Sequence, residues 1–193
     1  MNEKADTGRI EAAIRESVAT VEGLLDHAGS IAGAARTVIE ALTAGGKILT
    51  AGNGGSAAEA LHMAEELVGR FRANRRSLAA VSLAADPTAL TCIGNDFGFD
   101  RVFSRQVEGL GQSGDVLVLF STSGQALNLT YALEAARARG LKTIALLGRD
   151  GGPLAGESDV EILVAGPSTE RIQEAHQVVV HLILDAVETA FPG

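Results

Sequence analysis

The residues of this sequence that could do acid–base or metal chemistry are a histidine–glutamate pair and a second histidine far along the chain. His62 and Glu66 are four residues apart in a helical pattern, so both project from one face of the helix. That spacing could hold half of a zinc site or place a carboxylate beside an imidazole for proton transfer. His181 interrupts the apolar run 178–184, where a polar ring needs a partner. We expect His181 to be functional and His176 to be structural. Each candidate also has a non-functional interpretation: His62 as an ordinary half-buried histidine, Glu66 as part of a solvated helix surface, and His181 as a core histidine whose hydrogen bonds are satisfied.

Two loops have the composition of an anion site. Residues 52–56 (Gly-Asn-Gly-Gly-Ser) follow an apolar run and precede a helical pattern, so their backbone N–H groups could approach a phosphate closely. Residues 121–124 (Ser-Thr-Ser-Gly) repeat this arrangement with three adjacent hydroxyls. The alternatives are ordinary turns, with Ser56 as a helix N-cap. A dinucleotide fingerprint is disfavoured, because the nearest acidic residue, Asp86, comes too late.

The elements that must position these loops are short apolar runs alternating with helical patterns. Strands are expected at 47–51, 78–83, 115–120, 142–147 and 160–164. Helices are expected from Ser56 to about Arg70, from Pro87, and over 99–110, 125–139 and 169–189. This order predicts an α/β fold with a five-stranded parallel sheet flanked by helices, a flavodoxin-like three-layer sandwich. The whole of 1–193 reads as one domain, in which residues 1–45 form a helical pair used in oligomer packing.

Composition excludes several classes of function. The 193 residues carry 16 basic and 24 acidic side chains, a net charge of −8, and only seven aromatic residues. This balance disfavours nucleic-acid binding, which needs a basic surface and stacking side chains. The single cysteine, Cys92, allows neither an internal disulfide nor a cysteine-rich zinc site. With no signal peptide and no apolar stretch of about 20 residues, we expect a cytoplasmic protein that does not enter a membrane.

The full set of motifs resembles the sugar isomerase (SIS) domain family, and within it the bacterial phosphoheptose isomerases. The matching segments occur in order over nearly the whole chain: 51–56, 61–67, 93–98, 103–107, 114–117, 121–124, 150–152 and 171–174 with His181. The resemblance implies an aldose–ketose isomerase that converts sedoheptulose 7-phosphate to D-glycero-D-manno-heptose 7-phosphate through an enediol, the first step of nucleotide-activated heptose biosynthesis. It also implies a homotetramer with active sites where subunits meet.

The resemblance further implies roles for individual residues. Glu66 matches the catalytic base and His181 its acid–base partner. The substrate-binding set would be Asn53, Gly54, Gly55, Ser56, Glu66, Asn95, Asp96, Ser121, Thr122, Ser123 and Gln173. A zinc site found in some members matches His62, Glu66, Gln173 and His181, although Gln173 and His181 are eight residues apart, about 12 Å along a helix. Zn²⁺ is expected as a cofactor that enediol chemistry does not require.

Two features of the sequence bear on this assignment. Ala126 stands where many relatives carry a further serine in the phosphate loop. The missing hydroxyl is expected to weaken phosphate binding. The alternative function is a regulatory, non-catalytic SIS protein similar to the DnaA initiator-associating protein. The complete set of His62, Glu66, Gln173 and His181, together with the intact hydroxyl loop, favours the enzyme.

Overall fold

The computed structural model describes residues 3–193, with side chains from residue 6 onward, as an α/β fold. Its strands are β1 (Ile48–Gly52), β2 (Ala80–Ser82), β3 (Val116–Ser121), β4 (Lys142–Gly148) and β5 (Val160–Val164). Its helices are α1 (Glu3–Glu22), α2 (Ala28–Thr43), α3 (Gly55–Val68), α4 (Pro87–Phe97), α5 (Ser104–Leu110), α6 (Leu127–Ala138) and α7 (Thr169–Ala190). The five strands and the two leading helices predicted from the sequence are therefore confirmed.

The sheet is wholly parallel, with the strand order β2-β1-β3-β4-β5. The connection from β1 runs outward to β2, and the chain then returns to place β3 on the other side of β1. This reversal creates a crevice at the carboxyl ends of β1 and β3, which is where ligands bind in open parallel sheets. The two loops rich in glycine and hydroxyl groups follow these two strands and therefore meet at the crevice.

Alternating side chains of the central strands feed two separate apolar cores. In β3, Val116, Val118 and Phe120 face the layer of α2, α3 and α7. Leu117 and Leu119 face the layer of α5 and α6. Since every residue of β1 and β3 is buried, the sheet is a rigid base from which the loops at its carboxyl edge project.

The N-terminal helices pack on α7 and leave apolar side chains uncovered. Ile10, Ile14 and Val18 form a stripe along α1 and are 61%, 58% and 60% exposed. A groove of about 420 Å³ between α2 and α7 is lined almost wholly by aliphatic groups, among them Leu25 and Leu182. The use of residues 1–45 in oligomer packing stays a prediction.

Two sequence expectations about these elements differ from the structure. The helix expected over 99–110 is broken into a 3₁₀ turn (Phe99–Arg101) and α5, because the chain must bend to pack Val102 and Phe103 into the core. The second strand is shorter than expected, since β2 pairs on one edge only. Asp86 caps α4 through the backbone N–H groups of Thr88 and Ala89. None of the helices in the described part of the chain is long and apolar enough to cross a membrane.

Candidate active site

The loop after β1 turns sharply into α3. Gly54 is the N-cap, with φ 59° and ψ −121°, a conformation that glycine alone adopts easily. Ser56 lies buried in the first turn of α3, so the alternative in which Ser56 is only the N-cap of this helix does not hold. Asn53 and the buried Asn128 of α6 exchange two amide hydrogen bonds of 2.9 Å. These bonds fix the loop against α6, while the backbone N–H groups of Ser56 and Ala57 close the turn by donating to the carbonyl oxygens of Asn53 and Gly54 at 3.1 Å.

The loop after β3 is held by its own hydroxyl groups. The backbone N–H of Gly124 donates to Ser121 Oγ at 2.9 Å, and the N–H of Gln125 approaches Ser123 Oγ at 3.4 Å. Gly124 has φ 63°, and a side chain there would collide with the carbonyl oxygen of Gly151. The glycine therefore allows the hydroxyl loop to lie against the loop that follows β4.

These two loops and the start of α7 enclose a cavity of about 230 Å³. Its lining carries no charged side chain and consists of Asn53, Gly55, Ser56, Phe120, Ser121, Thr122, Ser123, Ala126, Thr169 and Gln173. The Gln173 amide lies directly against Gly55. Hydroxyl groups, amides and a helix N-terminus can bind a phosphate without a cation inside the cavity. The structure thus brings together most of the predicted substrate-binding residues.

A second cluster lies further along the same pair of helices, α3 and α7. His62 Nε2 is 3.2 Å from His181 Nε2 and 3.8 Å from Glu66 Oε1. His62 Nδ1 is 3.6 Å from the exposed Glu65, and the Gln177 amide nitrogen is 3.0 Å from His181 Nε2. The predicted carboxylate–imidazole group is therefore assembled from two distant segments of the chain.

The pKa of His181 is lowered from its ordinary value, chiefly because partial burial disfavours the charged ring. Nearby His62 lowers it further, and the Glu66 carboxylate opposes the shift. At neutral pH the His181 imidazole is thus uncharged, and a ring nitrogen without a proton is available to a proton or a metal ion.

The donor set of this cluster fits zinc. Two ligands of a tetrahedral zinc ion with bonds of 2.0–2.1 Å stand about 3.3 Å apart, close to the separation of the two Nε2 atoms. Glu66 offers a carboxylate oxygen on the same side, and His62, Glu65 and Glu66 form a group whose potential ligand atoms lie within 4.8 Å of one another. The structure places Gln173 at the cavity, and its role as a fourth ligand stays a prediction.

Arg75 fixes the end of α3 that carries Glu66. Its guanidinium donates to the carbonyl oxygens of Glu66 at 2.7 Å and Leu67 at 3.0 Å. These carbonyls belong to the last turn of the helix, where no intrahelical donor is left for them; the Leu67 carbonyl also accepts from the backbone N–H of Leu78 at 3.0 Å. The cation also stabilises the negative end of the helix dipole.

Some residues that the sequence predicted for the site lie elsewhere in the structure, and some residues of the site were not predicted. Asn95 and Asp96 are exposed on α4, which buries no side chain, and neither lines the cavity. His181 is exposed within the single chain, whereas His176 is fully buried. The sequence reasoning missed Asn128, Thr169 and Gln177; of these, only Gln177 carried a signal, since it is four residues from both Gln173 and His181.

Comparison with known protein families agrees with this geometry. The model of the SIS domain family matches residues 12–148, most of the chain. The chain belongs to the SIS domain family.

Its relatives narrow the assignment within that family. A phosphoheptose isomerase of Citrifermentans bemidjiense is 49% identical over 173 residues, which cover 90% of this chain and 89% of that protein. The solved phosphoheptose isomerase of Neisseria gonorrhoeae is 44% identical, with a TM-score of 0.88 and coverage of 95% and 98%. That of Francisella tularensis is 33% identical, with the same TM-score and coverage of 98% and 100%. Within the SIS domains, the chain falls among the phosphoheptose isomerases.

Proposed function

We propose that this protein is an aldose–ketose isomerase that converts sedoheptulose 7-phosphate to D-glycero-D-manno-heptose 7-phosphate. The observation that carries the proposal is the pairing of two sites along α3 and α7. An uncharged, hydroxyl-rich cavity suited to a phosphate lies at one end, and a carboxylate beside two imidazoles lies at the other. Relatives that share about half of its residues are phosphoheptose isomerases.

The chemistry moves one proton between adjacent carbons. In this proposal Glu66 removes the proton from C1 of the ketose and delivers it to C2 of the enediol. His181 donates a proton to the developing O2 oxyanion and takes up the proton of the O1 hydroxyl as the aldehyde forms, which restores both groups to their starting states. The phosphate is held by Ser121, Thr122 and Ser123, remote from the reacting carbons. A carboxylate and an imidazole are sufficient for an enediol mechanism, as in triosephosphate isomerase.

We infer that the cluster also holds Zn²⁺ through His62, Glu66 and His181, with Gln173 as the further candidate. The separation of the two Nε2 atoms supports this inference. When bound, the ion would supply positive charge for the oxyanion of the enediol. Isothermal titration of the chelator-treated protein with Zn²⁺ tests it: we expect one ion per chain, and a loss of binding in His62→Ala.

We infer a homotetramer in which the site lies near a subunit boundary. The uncovered stripe of α1 and the aliphatic groove beside α7 support association. The exposed Asn95 and Asp96 of α4 are then free to reach the sugar bound by a neighbouring subunit. Light scattering after size-exclusion chromatography should give a mass of about four chains.

The experiment that tests the function is turnover of sedoheptulose 7-phosphate by Glu66→Gln. This change keeps the volume of the side chain and removes the basic carboxylate. We expect kcat to fall by about 10²- to 10⁴-fold with little change in KM. The control is Glu134→Gln, the same substitution at an exposed position of α6.

Solvent-deuterium exchange at C1 of the substrate separates proton removal from the later steps. The Glu66→Gln variant should lose this exchange together with turnover, while Glu134→Gln should retain both. Unchanged turnover by Glu66→Gln, in protein freed of metal by a chelator, would show that this carboxylate is not the base. A wild-type protein that produces no aldose would refute the proposed function as a whole.

A further inference from the structure

A buried acid–imidazole pair, unused by the chemistry above, lies between α3 and α7. His176 is fully buried, and its Nδ1 is 3.9 Å from Oε2 of Glu59, whose side chain is 7% exposed. Both carboxylate oxygens of Glu59 and Nδ1 of His176 make no hydrogen bond within the described part of the chain. Three buried polar atoms without hydrogen-bond partners at one place are unusual, because most buried polar groups in proteins make hydrogen bonds.

The other ring nitrogen decides where a proton must be. His176 Nε2 is 3.1 Å from the carbonyl oxygen of Leu147, which can only accept a hydrogen bond, so Nε2 carries a proton. A neutral ring would then present a bare Nδ1 lone pair to an ionised Glu59. That arrangement would set two acceptors against each other and bury a net negative charge. One proton located between Nδ1 and the carboxylate removes both costs.

The position of this pair connects the two parts of the site. Three contacts between α3 and α7 succeed one another along the helices. Gly55 lies against Gln173 at the cavity, Glu59 faces His176, and His62 meets His181 at the carboxylate–imidazole cluster. The Leu147 carbonyl ties the middle contact to the end of β4. The spacing of the helices at the middle contact therefore sets the alignment of the contacts on either side.

We propose that Glu59 and His176 share one proton and act as a positioning pair, which holds α3 and α7 at the separation that the cavity and the His62–His181 cluster both need. The proposal rests on the proposed function for its kinetic consequence only. Neither residue lines the cavity, so the pair acts through its neighbours and does not touch the substrate.

Nuclear magnetic resonance of ¹⁵N-histidine-labelled protein tests the shared proton directly. The chain has four histidines, so the spectrum contains four imidazoles. We expect His176 to show a protonated Nε2 that exchanges slowly with solvent, and an Nδ1 shift between those of a bare and a protonated nitrogen. In Glu59→Leu this Nδ1 should move to the position of a bare nitrogen. An Nδ1 shift that is the same in wild type and Glu59→Leu would overturn the proposal.

Binding and kinetics of the same variants test the positioning role. Glu59→Leu should weaken Zn²⁺ affinity and lower kcat/KM by about 10- to 100-fold, as loss of a group that orients a site does. Glu59→Gln, whose amide can donate to Nδ1, should stay within about threefold of wild type. The control is Leu133→Ala, which removes packing from the opposite face of the sheet and should lower the melting temperature without this loss.

The variants at Glu59 and His176 distinguish a positioning role from a purely structural one. If Glu59→Leu fails to fold, the double variant Glu59→Leu/His176→Leu removes both buried polar groups and should fold while losing affinity for Zn²⁺ and inorganic phosphate. Wild-type affinities in folded Glu59→Leu, or in the folded double variant, would reduce the pair to a structural feature and overturn its role. Because these affinities need no turnover, they test the pair even in a protein that does not isomerise the sugar, a result that would refute only the proposed function.

Discussion

Two adjacent glycines in the first loop should respond in opposite ways to the same added methyl group. At Gly55 a Cβ would stand 2.2 Å from Gln173 Nε2, and its three nearest atoms all belong to the end of that flexible side chain. At Gly54 a Cβ has open space around it, but the backbone is at φ 59° and ψ −121°. Substitution by alanine therefore probes a contact at Gly55 and backbone strain at Gly54.

The magnitudes follow from these surroundings. Gly55→Ala places a good helix former at the start of α3, so the free energy of unfolding should be unchanged or rise by up to about 1 kcal/mol. The displaced Gln173 amide should lose one hydrogen bond to the bound sugar, raising KM by about tenfold. Gly54→Ala forces a side chain into a conformation that costs about 1–3 kcal/mol, and stability should fall by that amount.

Urea unfolding at one protein concentration and steady-state turnover of sedoheptulose 7-phosphate measure both effects. A Gly55→Ala protein with wild-type KM would show that Gln173 does not contact the substrate from this cavity. A Gly55→Ala protein destabilised as much as Gly54→Ala would show that the methyl group meets more than one flexible side chain. Either result would refute the reasoning about this loop.

Three further substitutions test the surroundings of the site. Ala126→Ser adds a hydroxyl to the cavity at the N-cap of α6. We expect KM to fall and the free energy of unfolding to rise by about 1 kcal/mol. If both stayed unchanged, the hydroxyl would face neither the phosphate nor the first N–H groups of α6. Arg149 has φ 59°, and its guanidinium is 3.4 Å from Thr169 Oγ1 at the cavity. Arg149→Gly relieves the left-handed backbone and should raise stability by up to about 1 kcal/mol, while KM rises about two- to fivefold. Arg149→Lys should keep KM. An unchanged KM in the glycine variant would show that Arg149, which lies outside the cavity lining, does not act on the bound phosphate. Val18→Glu puts a charge into the uncovered stripe of α1 and should lower the mass seen by light scattering; a persistent tetramer would place the interface elsewhere.

Much of the fold was predictable because its central strands are buried on both sides. Such strands are continuous apolar runs, which is why 115–120 and 142–147 coincide with β3 and β4 to within a residue or so. The edge strand β2 and the break between Phe99 and Ser104 were less predictable, since both depend on pairing and packing with distant segments.

The sequence predicted most of the residues that form the site, but it did not predict how they lie relative to one another. The alternation of β-strands and helices indicated that the loops after β1 and β3 would meet. The apolar run around His181 suggested a ring that is buried among apolar side chains, yet His181 faces outward in the single chain, and it is His176 that faces the sheet. Which side of α7 faces the core depends on its rotation against α3 and β4, which local sequence does not encode. The Asn53–Asn128 amide pair joins residues 75 positions apart and was invisible for the same reason.

The absence of charged side chains from the cavity lining has a consequence for how the substrate arrives. The chain has a net charge of −8, and a sugar phosphate is itself an anion, so the two repel each other before contact. Added salt screens this repulsion and should speed the encounter, the reverse of its effect on enzymes that draw phosphates in with lysine and arginine. Recognition thus begins at short range, where hydroxyl and amide donors select a phosphate by shape. The electrostatic field of the protein therefore does not concentrate other anions from the surrounding solution near the cavity.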